Sequence, residues 1–410
     1  MNTLRFITAG NVDDGKSTLI GRLLYDSDSI HTDQLGVLQK QTKQEGVDID
    51  LSLITDGLRA EREQGITIDV AYKYFSTKKR KFIIADAPGH EQYTRNMITG
   101  ASNSDLIIIL VDARKGITEQ TKRHASIGSL MGIKKAVVAI NKIDLVDYSE
   151  ATFNQIVADF EDLKSELNYN TISYIPVSAL VGDNIVAKSS ETPWYNGKAL
   201  LETLETIEIE STFNLDARFQ VQWVIRPKDE ENHDYRGYAG LVLSGSYKVG
   251  DEIVVLPAKI ASKISKIERN LETIEEAKAG ENVVFHFENN IDISRGDTVV
   301  LTHQLPQESN QINTWISWLD NNHLQLGKTY LLQHRFKNVR VKVQSINQKW
   351  NINDWKFTAT DEVKLNDIAQ VSIKTNQPLF FDAFDKNAKS GNAILIDETT
   401  YNTVGALMFL

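Results

Sequence analysis

Short apolar segments alternate with segments of helical period in the first half of the chain. Several of the apolar segments are rich in Ile and Val without polar alternation, which is typical of strands that are covered on both faces. The predicted strands are residues 4–9, 81–85, 106–111, 136–140 and 174–177. The predicted helices between them are residues 16–25, 92–101, 118–131 and 149–167. This order of elements predicts an α/β domain with a mostly parallel, doubly wound sheet.

The pattern changes near residue 210, where short strands separated by turn sequences replace the helices. Turn sequences such as Val249-Gly250-Asp251 and Arg295-Gly296-Asp297 recur at short spacing, which indicates a small β-barrel or sandwich. The predicted strands are residues 219–225, 239–243, 252–256, 283–287 and 298–301, then residues 329–334, 339–343, 368–373 and 392–397. We therefore predict one α/β domain, residues 1–210, and two β domains, residues 211–305 and 306–410.

The composition argues against several kinds of chemistry. The 410 residues include 45 Lys and Arg against 55 Asp and Glu, which gives a net charge of −10. Such a chain is poorly suited to holding nucleic acid by bulk electrostatics, because phosphate binding needs clustered Lys and Arg. Without cysteine there are no disulfides, thiolate metal sites or Cys nucleophiles. The apolar runs are far shorter than the roughly 20 residues of a membrane span, and the first residues lack a signal-peptide pattern. We expect a soluble, cytoplasmic protein that binds neither nucleic acid nor membrane.

The first motif with a chemical role lies between the first predicted strand and the first predicted helix. It reads Gly10-Asn11-Val12-Asp13-Asp14-Gly15-Lys16-Ser17, and Thr18 follows. This string fits the phosphate-binding pattern G-x-x-x-x-G-K-[S/T] in its expected context. In such a P-loop, backbone N–H groups surround the phosphates, Lys16 reaches the β- and γ-phosphates, and the Ser17 hydroxyl is a ligand of Mg²⁺. Residues 322–329 match the pattern except for its first Gly, and we interpret them as a hairpin.

A second motif, Asp86-Ala87-Pro88-Gly89-His90, directly follows the apolar residues 81–85. An Asp at the carboxyl end of a buried strand can hold Mg²⁺ through water. Gly89 leaves room for a backbone N–H to approach a γ-phosphate. The same residues could form an ordinary turn, but their place after a P-loop and a buried strand favours a nucleotide site.

A third motif, Asn141-Lys142-Ile143-Asp144, follows another predicted strand and selects the base. The Asp144 carboxylate offers two acceptors to the adjacent N1–H and N2–H₂ donors of guanine. Adenine would leave that carboxylate unpaired, and a site built on such pairing rejects the wrong base strongly. The alternative is an Asp that caps a helix. Ser178-Ala179-Leu180 stands where a further loop would close over the base.

A fourth segment, Arg62-Glu63-Gln64-Gly65-Ile66-Thr67-Ile68, lies between the first two motifs. A Thr in a mobile loop at this place would complete the Mg²⁺ coordination and respond to the γ-phosphate. The alternative is a plain loop that leads into a strand.

These motifs together resemble the elongation-factor branch of GTPases, in which a P-loop GTPase domain is followed by two small β-barrels. Arg236-Gly237-Tyr238-Ala239-Gly240 in the β region agrees with the second domain of that branch. Within the branch, Asn11-Val12-Asp13-Asp14 and the segments of residues 62–72 and 234–240 are similar to the large, GTPase subunit of bacterial sulfate adenylyltransferase. The resemblance extends over nearly the whole chain.

The resemblance implies a reaction and a partner. ATP and sulfate would be joined to adenylyl sulfate and pyrophosphate, and GTP hydrolysis would drive this uphill step. The adenylyl transfer would belong to a separate small, ATP-pyrophosphatase-like subunit, so that the chain would act in a hetero-oligomer. Because the chain ends at Leu410 with no second complete P-loop, we expect no adenylyl-sulfate kinase activity.

The resemblance also implies roles for individual residues. Thr67 would be the switch residue and a Mg²⁺ ligand together with Ser17 and Asp86. His90 would position the attacking water, and Lys16 would act with it in catalysis. A monovalent cation would be held with the help of Asp13.

Two other functions remain open from the sequence. A translation-factor-type GTPase that delivers an RNA would carry much the same motifs, although the acidic charge and Asn11-Val12-Asp13-Asp14 argue against it. The other alternative is a nucleotide-gated scaffold that barely hydrolyses GTP, and the intact residues Lys16, Ser17, Asp86 and His90 argue against it. RNA binding that depends on the guanine nucleotide would indicate the RNA-delivering GTPase. Absence of GTP turnover would indicate the scaffold.

Overall fold

The computed structural model describes residues 3–27, 51, 69–90, 94–164, 167–209, 212–227, 235–351 and 356–410. The described residues up to Ile209 form one compact unit, and those beyond it form a second. Thr67 lies outside the described residues, as does most of the segment around it.

The first unit is built on a six-stranded sheet. Its strands are β1 (Thr3–Ala9), β2 (Ala71–Ser76), β3 (Lys81–Asp86), β4 (Leu106–Asp112), β5 (Lys135–Asn141) and β6 (Thr171–Pro176). They lie in the order β2-β3-β1-β4-β5-β6, with β2 antiparallel to β3 and all other neighbours parallel. Every residue of β4 is buried, as its continuous apolar sequence predicts for a central strand. The doubly wound parallel sheet predicted from the pattern is therefore confirmed.

Five helices accompany this sheet within the described residues. They are α1 (Lys16–Asp26), α2 (Thr94–Ala101), α3 (Glu119–Leu130), α4 (Glu150–Lys164) and α5 (Leu200–Thr206). Of these, α2, α3 and α4 connect parallel strands. The predicted helix of residues 118–131 is one residue longer at each end than α3, because Thr118 is its N-cap and Met131 its C-cap. The sequence pattern did not predict α5, which has only seven residues. None of the helices in the described part of the chain is both long and apolar enough to cross a bilayer.

The second unit contains two antiparallel β-barrels, each with its own hydrophobic core. The first comprises β7 (Arg218–Ile225), β8 (Gly237–Ser244), β10 (Glu252–Leu256), β11 (Ile260–Arg269), β14 (Asn282–Phe287) and β15 (Thr298–Leu301). The short strands β9 (Ser246–Lys248), β12 (Glu272–Ile274) and β13 (Glu276–Lys278) accompany it. The sheet closes through pairing of β10 with β11.

The second barrel closes in the same way, through pairing of β17 with β18. Its strands are β16 (Gln307–Trp318), β17 (Thr329–His334), β18 (Lys337–Asn351), β20 (Ile368–Phe381), β21 (Asn392–Asp397) and β22 (Thr403–Phe409), and β19 (Lys356–Thr358) extends the sheet. The barrel fold is confirmed. The limits of the three domains, residues 1–210, 211–305 and 306–410, remain predictions.

Two features of the barrels differ from the sequence interpretation. The long strands β11, β16 and β22 and the short strands β9, β12, β13 and β19 were not predicted. Polar residues dominate one face of β11 and the first half of β16. The hairpin proposed for residues 322–329 is wrong. Those residues connect β16 to β17, and β16 pairs with β20 and β22 instead.

Candidate nucleotide-binding site

The predicted motifs follow strands whose carboxyl ends share one edge of the parallel sheet, where ligands of such sheets bind. The P-loop joins β1 to α1, Asp86 ends β3, Asn141 ends β5, and the Ser178 loop follows β6. The remaining predicted residues of these loops are Gly10, Asn11, Val12, Asp13, Asp14, Gly15, Lys16, Ser17, Thr18, Ala87, Pro88, Gly89, His90, Lys142, Ile143, Asp144, Ala179 and Leu180. Their roles in binding stay predictions.

The P-loop is held in a curved conformation by its own polar groups. The Asp14 carboxylate accepts a hydrogen bond of 2.6 Å from the Asn11 N–H, and the Val12 N–H donates to Asn11 Oδ1 at 2.8 Å. Gly15, which has a φ of 95° that favours glycine, precedes the first residue of α1. The N–H groups at this helix start lack intrahelical acceptors, so the loop is suited to binding phosphate oxygens.

Lys16 lies at the centre of this loop and is almost fully buried. Its Nζ donates to the carbonyl oxygens of Gly10 and Asn11, each at 2.9 Å. Burial lowers the pKa of Lys16, and the negative charges of Asp86 and Asp14 oppose that shift. A buried ammonium group that is held by backbone carbonyls can transfer those hydrogen bonds to the oxygens of an incoming phosphate.

The second motif approaches the P-loop very closely at Gly89. A Cβ atom at this position would lie 2.5 Å from Lys16 Nζ and 2.6 Å from the Gly10 carbonyl oxygen. Any residue other than glycine would therefore displace the lysine or the loop. His90, the next residue, has an exposed side chain.

Two oxygen donors fit a Mg²⁺ ion beside the P-loop. The Asp86 carboxylate is 1% exposed at the end of β3 and accepts a hydrogen bond of 3.2 Å from Thr8 Oγ1. The Ser17 hydroxyl belongs to the first turn of α1. Carboxylate and hydroxyl oxygens are the hard donors that Mg²⁺ prefers, so Ser17 and Asp86 would hold the ion. When bound, the ion would neutralise charge on the β- and γ-phosphates.

Asn141 connects three loops of the site. Its Nδ2 donates to the Asp14 carbonyl at 2.7 Å, and its Oδ1 accepts from the Ala179 N–H at 2.9 Å. Both ends of the buried amide are thus used, one on the P-loop and one on the Ser178 loop. The motif therefore ties the phosphate-binding loop to the loops that would surround the base.

Lys142 and Asp144 follow in a conformation that turns the chain sharply. Lys142 has a φ of 61°, and Ile143–Val146 forms a 3₁₀ turn that contains the half-buried Asp144 in its first turn. Lys142 Nζ donates to the Asp13 carbonyl oxygen. Lys142 thereby joins the base loop to the P-loop, and the position of its stem against a bound base remains a prediction.

Two residues that the motif analysis missed support these loops. Asp112 ends β4 opposite Asn141, and its buried carboxylate lies 3.0 Å from Lys142 Nζ. Arg22 on α1 donates to the carbonyl oxygens of Ala179 and Leu180. The position of Asp112 at the end of the most apolar strand is the signal that could have identified it, whereas Arg22 carries no local signal.

The charge of Asp112 is held in place by two basic residues. Burial raises the pKa of Asp112, but hydrogen bonds from Arg114 and Lys142 outweigh this effect and hold its pKa well below the usual range. Arg114 Nε and Nη2 contact the two carboxylate oxygens at 3.0 and 2.7 Å. Asp112 is therefore ionised at neutral pH and anchors Lys142.

Replacing Asp112 with Asn is expected to weaken GTP binding about 10- to 100-fold. The amide keeps the size of the side chain but removes the charge that holds Lys142, and losing one hydrogen bond to a charged group costs roughly 1.5–3 kcal/mol. Equilibrium titration with a fluorescent GTP analogue measures the effect. Asp159→Asn on the exposed surface of α4 is the matched control, and equal affinities of both variants would contradict the role of Asp112.

The comparison of the chain with protein families agrees with this geometry. Residues 1–210 match the family described as the elongation factor Tu GTP binding domain, and residues 311–409 match the family described as GTP-eEF1A C-terminal domain-like. The fold and the site thus define a P-loop GTPase of the elongation factor Tu type, which binds GTP.

Relatives that match nearly the whole chain identify its family more narrowly. Sulfate adenylyltransferase subunit 1 of Alteromonas mediterranea is 48% identical over 411 residues, which cover 99% of this chain and 86% of that protein. The protein of the same name from Teredinibacter turnerae is 49% identical over 409 residues, with the same coverage. The bifunctional enzyme CysN/CysC of Mycobacterium tuberculosis is 47% identical over 411 residues, or 67% of its length. The chain belongs to the sulfate adenylyltransferase subunit 1 family.

Solved structures show the same fold at lower sequence identity. The Ski7 GTPase-like domain of S. cerevisiae, described as bound to GTP, aligns with a TM-score of 0.52 and 19% identity. The alignment covers 100% of this chain and 97% of that domain.

Proposed function

We propose that this chain is the GTPase subunit of a sulfate adenylyltransferase, in which GTP hydrolysis is coupled to the formation of adenylyl sulfate from ATP and sulfate. The observation that carries the proposal is the 48% identity over 99% of the chain with a protein named sulfate adenylyltransferase subunit 1. The arrangement of the P-loop, the Gly89 loop and Asn141 supports GTP as the nucleotide that this chain itself uses.

The geometry supports specific tasks for the residues of the site. Lys16 binds the β- and γ-phosphates and stabilises charge that develops during hydrolysis, because its ammonium group lies buried inside the loop. Gly89 presents a backbone N–H to the γ-phosphate. His90, which is exposed and adjacent to Gly89, orients the attacking water.

The base-binding residues explain the preference for guanine. Asp144 accepts hydrogen bonds from N1–H and the N2 amino group, and Lys142 covers the face of the base. Asn141 keeps these residues in register with the P-loop through its bond to Asp14. Ser178, Ala179 and Leu180 close the other side, where Arg22 holds their backbone.

Two further elements come from the resemblance to the family. Thr67 would coordinate Mg²⁺ with Ser17 and Asp86 and respond to the γ-phosphate. A monovalent cation would bind beside Asp13, an exposed residue of the P-loop. Potassium dependence of GTP turnover that is lost in Asp13→Ala would test the cation site.

We also propose that the partner is a small ATP-pyrophosphatase-like subunit that carries out the adenylyl transfer, and that the hetero-oligomer acts in the cytoplasm. The words "subunit 1" in the names of the relatives support a partner. The three motifs describe one nucleotide site whose base loop fits guanine, which supports a separate site for ATP and sulfate. A pull-down from the native cell that recovers no such protein would contradict the proposal.

The proposal predicts that this chain alone forms no adenylyl sulfate and that its GTPase rate rises when the small subunit, ATP and sulfate are present. A loop that depends on the γ-phosphate is a two-state element, so a partner that distinguishes the GTP and GDP states can accelerate turnover. The assay follows phosphate from GTP and pyrophosphate from ATP separately.

The controls are the chain without partner and the partner with a Lys16→Ala variant of the chain. Pyrophosphate release from ATP by the isolated chain would reveal a second active site. A GTPase rate that no component changes would favour the RNA-delivering or scaffold functions instead.

A further inference from the structure

A glutamine on α3 contacts the backbone of the Gly89 loop. Gln120 Nε2 donates to the Gly89 carbonyl oxygen at 3.1 Å, although the two residues are 31 positions apart. One turn later on the same helix, His124 Nε2 lies 3.1 Å from the same Gln120 nitrogen. None of the motifs includes either residue.

The environment of His124 determines the direction of these hydrogen bonds. His124 is buried, and burial, with further effects from the positive charges of Lys16 and Arg123, lowers its pKa to about 3. The imidazole is therefore neutral at physiological pH. Because an amide nitrogen only donates, His124 Nε2 is the acceptor and the ring proton resides on Nδ1.

This arrangement uses both hydrogens of the Gln120 amide. One points to Gly89 and the other to His124. Rotating the amide by half a turn would place its oxygen against the Gly89 carbonyl oxygen, which is a repulsive contact, and would require the ring proton of His124 to move to Nε2. The Nδ1 tautomer of His124 accepts the second amide hydrogen and so supports the orientation that donates to Gly89.

The other ring nitrogen of His124, Nδ1, adds no second hydrogen bond among the described residues, so the polar contact of the ring within that part of the chain is the one with Gln120. Nδ1 is buried and has no hydrogen-bond partner among the described residues. A buried donor without a partner costs about 1–3 kcal/mol. The contact with Gln120 is the hydrogen bond that favours this tautomer of His124.

The Gly89 carbonyl belongs to the peptide group that joins Gly89 to His90. A peptide group is planar, so a hydrogen bond that fixes the direction of its oxygen also fixes the plane from which His90 departs. Gln120 therefore controls the backbone on the N-terminal side of the residue that faces the attacking water.

We propose that Gln120 is a positioning residue for His90 in GTP hydrolysis, and that His124 keeps the Gln120 amide in its donating orientation. This inference rests on the proposed role of His90. Gln120 touches neither the nucleotide nor the water in this scheme and acts through the Gly89–His90 peptide.

The test is a Gln120→Met variant of the full chain, which keeps the length of the side chain and removes the donor. We expect kcat for GTP hydrolysis to fall about 10-fold, because a small misplacement of a catalytic group costs up to roughly 10²-fold. The Kd values for GTP and GDP should stay within about 2-fold, which a loss of folding would not permit. A Gln120→Glu variant, which cannot donate while its carboxylate is ionised, provides a second test if the first fails to fold.

The matched control is Gln155→Met. Gln155 lies on the exposed face of α4 and donates to Asp159, four residues later, at 2.8 Å, so that it repeats the spacing of Gln120 and His124. The kcat of the Gln155→Met variant should equal that of the unmodified chain. His124→Ala should lower kcat in the unmodified chain and have no further effect in Gln120→Met, because His124 acts only through Gln120.

Combination with His90→Ala separates this inference from the proposed function. If Gln120 acts through His90, Gln120→Met lowers kcat in the unmodified chain and changes nothing further in His90→Ala. An equal loss in both backgrounds, or a normal kcat in Gln120→Met, overturns the inference and leaves the role of His90 intact. A normal kcat in His90→Ala overturns both.

Discussion

Replacing His90 with Ala is expected to lower kcat for GTP hydrolysis about 10²-fold or more, with the Kd for GTP changed by less than about 2-fold. Orientation of the attacking water acts mainly in the transition state, so its loss lowers kcat without weakening ground-state binding. His90 is exposed and directly follows the glycine that packs on Lys16.

Single-turnover hydrolysis of GTP and equilibrium titration measure the two quantities separately. His323→Ala is the control, because His323 is an exposed histidine of the second unit that pairs with Glu362. If His90→Ala retained a normal kcat, another group would orient the water, and a group supplied by the partner subunit would be the next candidate.

The second large effect is expected for Asp144→Asn, which should reverse the preference between GTP and XTP. Xanthine carries a carbonyl where guanine carries its N2 amino group. The Asn amide can donate to that carbonyl and still accept from N1–H, whereas it meets the guanine amino group with a second donor. Sites that pair with specific polar groups discriminate on the order of 10⁴-fold, so the ratio of the two affinities should change by about that factor.

Competition of GTP, XTP and ATP against a fluorescent GDP analogue measures this ratio. Asp147→Asn provides the control, since Asp147 is an exposed aspartate at the end of the same 3₁₀ turn and should keep the preference for GTP. If Asp144→Asn still preferred GTP, residues other than Asp144 would recognise the base.

Several parts of the site could be predicted because their residues are contiguous in sequence. Gly10 to Ser17 form one loop between a strand and a helix, and the chain geometry of such a loop leaves little choice in where its N–H groups point. Asp86 and Asn141 each directly follow an apolar strand, and the carboxyl ends of parallel strands meet at one edge of a sheet. Their arrangement follows from the pattern, while their roles in binding remain predictions.

Other parts depend on contacts between distant segments. Arg22 donates to the backbone of a loop 157 residues away, and Gln120 reaches the Gly89 carbonyl from a helix that carries no motif. The barrels show the same limit. Apolar and polar residues do not alternate regularly in β11 or in the first half of β16, so these strands are identified only by their pairing.

The sequence by itself determined the α/β sheet, the phosphate-binding loop and the candidate for reading guanine, because these depend on local periodicity and on short loops at strand ends. Only the tertiary structure decided that Asp112 anchors Lys142, that Gly89 packs against Lys16 without room for a Cβ, and that Gln120 holds the peptide before His90. The physical reason is that a hydrogen bond or a close contact depends on the relative placement of whole strands and helices, which a local pattern does not contain.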